Sequence, residues 1–148
     1  MSKSFLPSGF SLLEVLLVMG LFSLLAVAAV PVFRNLILEN DLATSQFLTV
    51  QAAREAAAAA AAGRSDSGWG INASKSSITI FQGTNFATRL VSSDKIYSFP
   101  PSVSVATPIE IDFAEGSGQP SAGAAIVLTS ISGQSDTVSI DRSGLVSD

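Results

Sequence analysis

The residue best placed to do chemistry in this chain is Glu14. It is the only ionisable residue between Phe10 and Phe33, a run otherwise made of apolar and small side chains. A charged group at the centre of a membrane-length helix costs roughly 2.5–3.5 kcal/mol on insertion scales. A carboxylate kept there needs a compensating charge, and none is offered by its own segment. Five residues earlier stands Gly9, so the order is Gly9-Phe10-Ser11-Leu12-Leu13-Glu14.

Other chemistry is scarce. The chain has no His and no Cys. That removes the commonest metal ligand and general base, and any disulfide. Many Ser are present, but no usual nucleophile–base pair can be assembled around them, so an enzyme is not expected, nor a cofactor. Asp136, Asp141 and Asp148 could offer oxygens to Ca²⁺. They form no loop motif and read as solvated surface carboxylates. Asp94-Lys95 reads as a charge pair in a loop. Trp69 reads as an anchor of a sheet, or of a helix on a sheet, rather than a ligand platform. Twelve acids face eight bases, for a net charge of −4. Beyond the alanine tract the bases are Arg64, Lys75, Arg89, Lys95 and Arg142. Nucleic acid is therefore not an expected partner.

The elements that must position Glu14 follow from the hydropathy pattern. Mean hydropathy is +0.46, and much of it comes from Phe10 to Phe33 and from Ala56 to Ala62. The first run is 24 residues, roughly 36 Å as helix, enough for a bilayer core of about 30 Å. Lys3 before it and Arg34 after it leave a weak positive-inside signal that keeps the amino terminus in the cytoplasm. Gly20, Ser23, Ala26 and Ala29 recur every third residue and drift around the helix. They make a slanted groove for helix packing, or they reflect the ordinary frequency of small residues in membrane helices. From Asn35 to Ala62 there is no Gly or Pro. Leu36, Leu38, Leu42, Phe47, Leu48 and Val50 continue the helical spacing, and Ala is the best helix former. The reading is one long helix, Phe10 to Ala62, bent at Pro31 and capped by Gly63. The alanine tract is either low-complexity drift or a smooth face for a close neighbour.

After Gly63 the pattern turns β-like. Strands are expected at Trp69 to Ile71, Ser77 to Phe81, Lys95 to Phe99 and Pro108 to Phe113. In the last, Ile109, Ile111 and Phe113 share one face and Glu110 and Asp112 the other. Ala124 to Thr129 and Thr137 to Asp141 read as a hairpin around Ser132-Gly133-Gln134. The loop Glu115 to Gly123 reads as exposed. The fold class is therefore α+β. A long N-terminal α-helix, its first half membrane-spanning, packs against a C-terminal mostly antiparallel β-sheet.

Gly9, Phe10, Leu12-Leu13, Glu14, the run to Phe33 and Pro31 together resemble the type IV prepilin family, whose members form pili and type II secretion pseudopili. The match is to the class with short leaders, although this leader carries one Lys where several bases are common. The resemblance implies four segments: a leader 1–9, a transmembrane and filament-core helix 10–33, an amphipathic continuation 34–62, and a β-rich pilin domain 63–148. It implies a cut by prepilin peptidase between Gly9 and Phe10, where the bare glycine suits a narrow cleft, and methylation of Phe10. Glu14 takes the role of subunit recruitment, facing the terminal ammonium of a neighbouring subunit as an assembly ion pair. Pro31 takes that of the helix bend. Implied partners are the peptidase, other pilin or pseudopilin subunits, an inner-membrane assembly platform and the lipid bilayer. The expected location is the cytoplasmic membrane, single-pass with the C-terminal domain outside, and then a pilus or pseudopilus.

A second resemblance lies in Gly68-Trp69-Gly70-Ile71, Ile78-Thr79-Ile80-Phe81, Ile109-Glu110-Ile111-Asp112-Phe113 and Val138-Ser139-Ile140-Asp141-Arg142-Ser143-Gly144. These look like minor pilins and pseudopilins of the GspH/FimT type. Two rival readings stand beside this one. Ala26-Val27-Ala28 resembles a signal-peptidase site that would release a soluble secreted domain beginning at Ala29. The chain could also be a permanently membrane-anchored binding module.

Overall fold

Ser11 starts the helix. Its hydroxyl accepts from the Glu14 amide at 3.3 Å, and its carbonyl accepts from the same amide at 3.1 Å. That is a side-chain N-cap, which satisfies a donor the first turn leaves free. The helix α1 then runs Leu12–Ala61, with Pro31 inside it. It stops at Gly63, whose φ of +59° needs no side-chain accommodation. The Gly63 amide donates to Ala60 at 3.0 Å, closing the last turn. The expected span Phe10 to Ala62 is thus trimmed slightly at both ends.

The computed structural model describes residues 10–147, without the side chains of Ala28, Ala29 and Val32. The leader Met1 to Gly9 and Asp148 lie outside the described residues. The chain divides into two units, Met1–Leu36 and Ile37–Asp148.

In the first unit every described side chain from Phe10 to Val27 is exposed. Among the described residues no helix is long and apolar enough to cross a membrane. The expected membrane-spanning first half is therefore not carried by them.

Among the described residues the second unit holds eight strands: β1 (Trp69–Ser74), β2 (Ser77–Gln82), β3 (Lys95–Ser98), β4 (Val103–Val105), β5 (Ile109–Phe113), β6 (Ala124–Ser130), β7 (Ser135–Ile140) and β8 (Val146–Ser147). They form two antiparallel four-stranded sheets, not the single sheet expected. One has the order β3-β2-β1-β5 and the other β4-β6-β7-β8. The chain leaves the first sheet after β3, at Pro100-Pro101, enters β4, and returns to the first sheet as β5. Proline cannot donate to a ladder, so this is where pairing must break. The hairpin β6–β7 pairs Ala124 with Ile140 and Thr129 with Ser135, turning through Gly133 at φ +87°.

Period-two alternation explains the core. Ile71, Ile78, Ile80, Ile111 and Phe113 from one sheet share one buried cluster with Val103, Ile126, Leu128, Val138 and Ile140 from the other. The helix adds Leu42, Val50 and Ala52, Ala53, Ala56, Ala59 and Ala60. Ser45 and Thr49 are also fully buried. Their hydroxyls donate to the carbonyls of Asp41 and Ser45, each at 2.8 Å, so neither is left unpaired.

The alanine tract serves close approach. The Gly116 amide donates to the Ala60 carbonyl at 2.8 Å. A Cβ placed on Gly118 would lie 2.5 Å from the Ala57 oxygen and 2.9 Å from Ala61 Cβ. The loop Glu115 to Gly123 is exposed as expected at most positions, with Gly118 and Pro120 buried; at Gly118 the small side chains on both partners let the backbones meet.

Candidate functional site

The sequence places its candidate chemistry at the start of α1. Phe10 precedes the helix and is 81% exposed. Glu14 lies in the first helical turn and is exposed. Among the described residues its carboxylate makes no ion pair, since the two pairs found are Arg89–Asp94 and Lys95–Glu55. Around it Leu12, Leu13, Leu16 and Leu17 are all bare. Gly9, on the other side of the expected cut, lies outside the described residues. The arrangement is one carboxylate about a turn from the helix start, set in a wholly apolar surface. Such a carboxylate can accept hydrogen bonds or pair with a cation.

Further along, a shallow groove is lined by Gly20, Ser23, Leu24 and Val27. Gly20 has open space where a side chain would be. The Ser23 hydroxyl is spent on the Met19 carbonyl at 2.8 Å, so Ser23 offers smallness rather than a free donor. Ala26 is not part of the groove lining, and the Ala29 side chain is not described. Pro31 is exposed within the helix. Having no amide hydrogen, it leaves the carbonyl one turn earlier without its helical donor.

The other candidates resolve into structural roles. Trp69 is buried, and its indole donates to the Arg64 carbonyl at 3.0 Å. Arg64 also lies over the ring at 5.8 Å. Trp69 thus ties β1 to the end of the helix, as an anchor would. Asp94 and Lys95 do not pair with each other. Asp94 holds Arg89 at 2.8 Å, and Lys95 holds Glu55 of α1 at 2.8 Å. Consecutive residues entering a strand point to opposite faces, which separates their partners. Tyr97 adds its hydroxyl to Glu55 at 3.2 Å. The Lys95 ammonium is held above its ordinary range, first by the hydrogen bond to Glu55 and then by that to Tyr97.

Asp136 lies in β7 and Asp141 just beyond its end. Five residues of extended chain separate them by roughly 16 Å, too far to share an ion. Asp141 instead accepts from the Ser143 amide, the Ser143 hydroxyl and the Leu145 amide. Those bonds, the Ser143 hydroxyl first, pull its carboxyl below the ordinary range. Among the described residues no group of three or more His, Cys, Asp or Glu could hold a metal. The basic residues stand on separate elements, and Arg89 and Lys95 are already paired with acids.

Two features were not read from the sequence. The Ser11 cap was legible, because Ser-x-x-Glu at 11–14 is the capping-box spacing. The surroundings of Asp112, described below, depend on strand register and carry no local signal. No protein-family model, curated protein or solved structure matches this chain.

Proposed function

We propose that this chain is a structural subunit of the type IV pilin or type II pseudopilin kind, of minor-pilin character, and not a catalyst. The observation that supports the reading is the bare, mostly apolar surface from Phe10 through α1 to Val27, broken by one carboxylate, Glu14, which has no ion pair among the described residues. Fully covering a Leu, Val or Phe is worth about 1.5–3 kcal/mol. The twelve Leu, Val and Phe side chains exposed there thus amount to at most roughly 18–36 kcal/mol, and lipid or the helices of other subunits must supply the cover.

In this reading the run Phe10 to Phe33 first lies across the cytoplasmic membrane with the β-rich domain outside. Prepilin peptidase cuts between Gly9 and Phe10, and Phe10 is methylated. The new terminal ammonium of one subunit then meets Glu14 of its neighbour. Moving a helix from lipid into a helix bundle gains little hydrophobic energy, so this ion pair and close packing decide association. The helix can pass from membrane to filament unchanged, while the β-rich domains coat the outside.

Intact mass and amino-terminal sequencing of the protein from its native membrane fraction test the proposal. A chain beginning at methylated Phe10 is the expected result. A start at Ala29 would instead mean a secreted domain, and an uncut Met1 a plain membrane anchor. Either would overturn it.

A further inference from the structure

Among the described residues, Asp112 Oδ1 is the one buried side-chain oxygen or nitrogen that nothing satisfies. Asp112 lies on β5, opposite Gly70 of β1, on the face of the first sheet turned away from the core cluster. Phe81 of β2 stands opposite Gly70 on the other side and shares that face. A Cβ on Gly70 would strike the Phe81 ring and stand 2.9 Å from Asp112 Oδ1, so ring and oxygen converge on one point.

Phe81 is fully buried although it faces away from the core cluster. Its cover is the segment from Gly83 to Asp94, which joins β2 to β3 through two 3₁₀ turns, Phe86–Thr88 and Val91–Ser93. The Phe86 ring meets the Phe81 ring edge-on at 5.4 Å. The Arg89 guanidinium in turn lies 3.7 Å from the centre of the Phe86 ring. Few bonds fasten this segment to the sheet. The Leu90 amide donates to the Gln82 carbonyl at 3.1 Å, the Ser93 hydroxyl to the Gln82 side chain at 2.9 Å, and the Phe86 amide to the Glu110 carboxylate at 2.6 Å. It begins at Gly83, whose φ of +136° gives a bare hinge.

Oδ1 is thus kept dry by a ring that Phe86 holds in place. An ionised carboxyl is costly to hold there, and a neutral one is less so. The charges around Asp112 do not offset that cost. Glu110 on the same face and Glu115 beyond the end of β5 are both acidic, and Arg89 and Asp94 of the segment are bound to each other at 2.8 Å. On this face β1 and β2 carry no titratable side chain. Desolvation first, and then the charge of Glu110, push the Asp112 carboxyl above its ordinary range.

We propose that the segment from Gly83 to Asp94 is a proton-linked strap, closed when Asp112 is neutral and loosened when Asp112 is ionised. Loosening wets Oδ1 and bares the Phe81 ring. The device lies wholly within the second unit and is independent of any role for Glu14. Amide hydrogen exchange on the full chain in detergent micelles, corrected for the intrinsic rate, tests it from neutral pH down through the carboxylate range. Protection of the Phe86 and Leu90 amides is expected to be lower at neutral pH than in acid by about threefold or more, a fraction of the penalty for an unsatisfied buried oxygen. Asp112→Asn should keep these amides protected at neutral pH and abolish the dependence. Glu110→Gln should retain the dependence, with its midpoint nearer the ordinary carboxylate value, because desolvation remains. Phe86→Ala should leave the Leu90 amide open at both conditions while the Ile71 and Leu128 amides of the core stay slow. Protection that does not vary with pH in the unaltered chain, the same variation in Asp112→Asn, or full protection in Phe86→Ala would overturn the proposal. So would a dependence confined to Ile71 and Leu128, which would mean that Oδ1 is freed only when the whole domain unfolds.

Discussion

Among the described residues neither Glu14 nor Asp112 is paired with a cation, but their settings differ. Glu14 is exposed in the chain alone, so removing it costs the subunit little by itself. Glu14→Ala is expected to insert into the membrane and be cleaved normally, yet to assemble poorly. Pelleting of filaments from sheared cells checks this, and normal assembly would remove the ion pair from the argument. Asp112 acts on the fold. Its folded carboxyl holds a proton more tightly than the unfolded one, so stability falls as pH rises from the ordinary carboxylate value through the raised one. Above that window the penalty is fully present. Asp112→Asn should therefore raise stability slightly at neutral pH. The gain should vanish in acid, as urea unfolding at the two conditions will show. Asp141 has the opposite sign. Its folded carboxyl is depressed, so its contribution is present above the ordinary carboxylate value and is lost as pH falls through the lowered one. Asp141→Asn should therefore lower stability at neutral and alkaline pH and leave it unchanged in strong acid, as urea unfolding across that range will show.

At the scale of elements, the decisive junction is between the alanine tract and the loop after β5. Gly118 has φ +66°, and its Cα faces the Ala57 carbonyl. Gly118→Ala would meet both the backbone strain and the helix. A loss of about 1–3 kcal/mol is expected, measured as a lower urea midpoint. The contact explains why Ala rather than larger apolar residues lines this part of α1. Glu55 makes a second tie, to Lys95 and Tyr97, and Arg54 a third, donating to the Val146 carbonyl at 3.1 Å. Ser102 donates to the Asp41 carboxylate as well. The helix is thus held to both sheets by polar contacts around an apolar centre.

At the scale of the whole molecule, one helix takes part in two environments. From Leu42 to Ala60 its buried face belongs to the core of the second unit. From Phe10 to Val27 its described side chains are bare. A chain of this kind should not stay monomeric in water once extracted. Removal of detergent is expected to give association that depends on the apolar segment. A truncation beginning at Ile37 should remain monomeric by light scattering, since the core cluster lies beyond that point.

Much of this was present in the residue order. Strict alternation at Ile109, Ile111 and Phe113 marked a strand with one buried face, and the absence of Gly or Pro from Asn35 to Ala62 marked a helix. Gly63 marked its end. The isolation of Glu14 is likewise a property of composition, since nothing charged lies near it along the chain. These features are local, set by side-chain period and backbone preference, so they can be read without a fold. Other features depend on residues far apart meeting. Val103–Val105 and Val146–Ser147 are too short to declare themselves and become strands only when β6 and β7 offer them an edge. The division into two sheets, the pairing of Lys95 with Glu55 instead of Asp94, and the docking of Gly118 on the alanine tract arise the same way. So does the unsatisfied oxygen of Asp112, which exists because strand register sets it against Gly70 and the Phe81 ring. Tertiary structure decides such features because their energies reside in contacts between segments, not within any one of them.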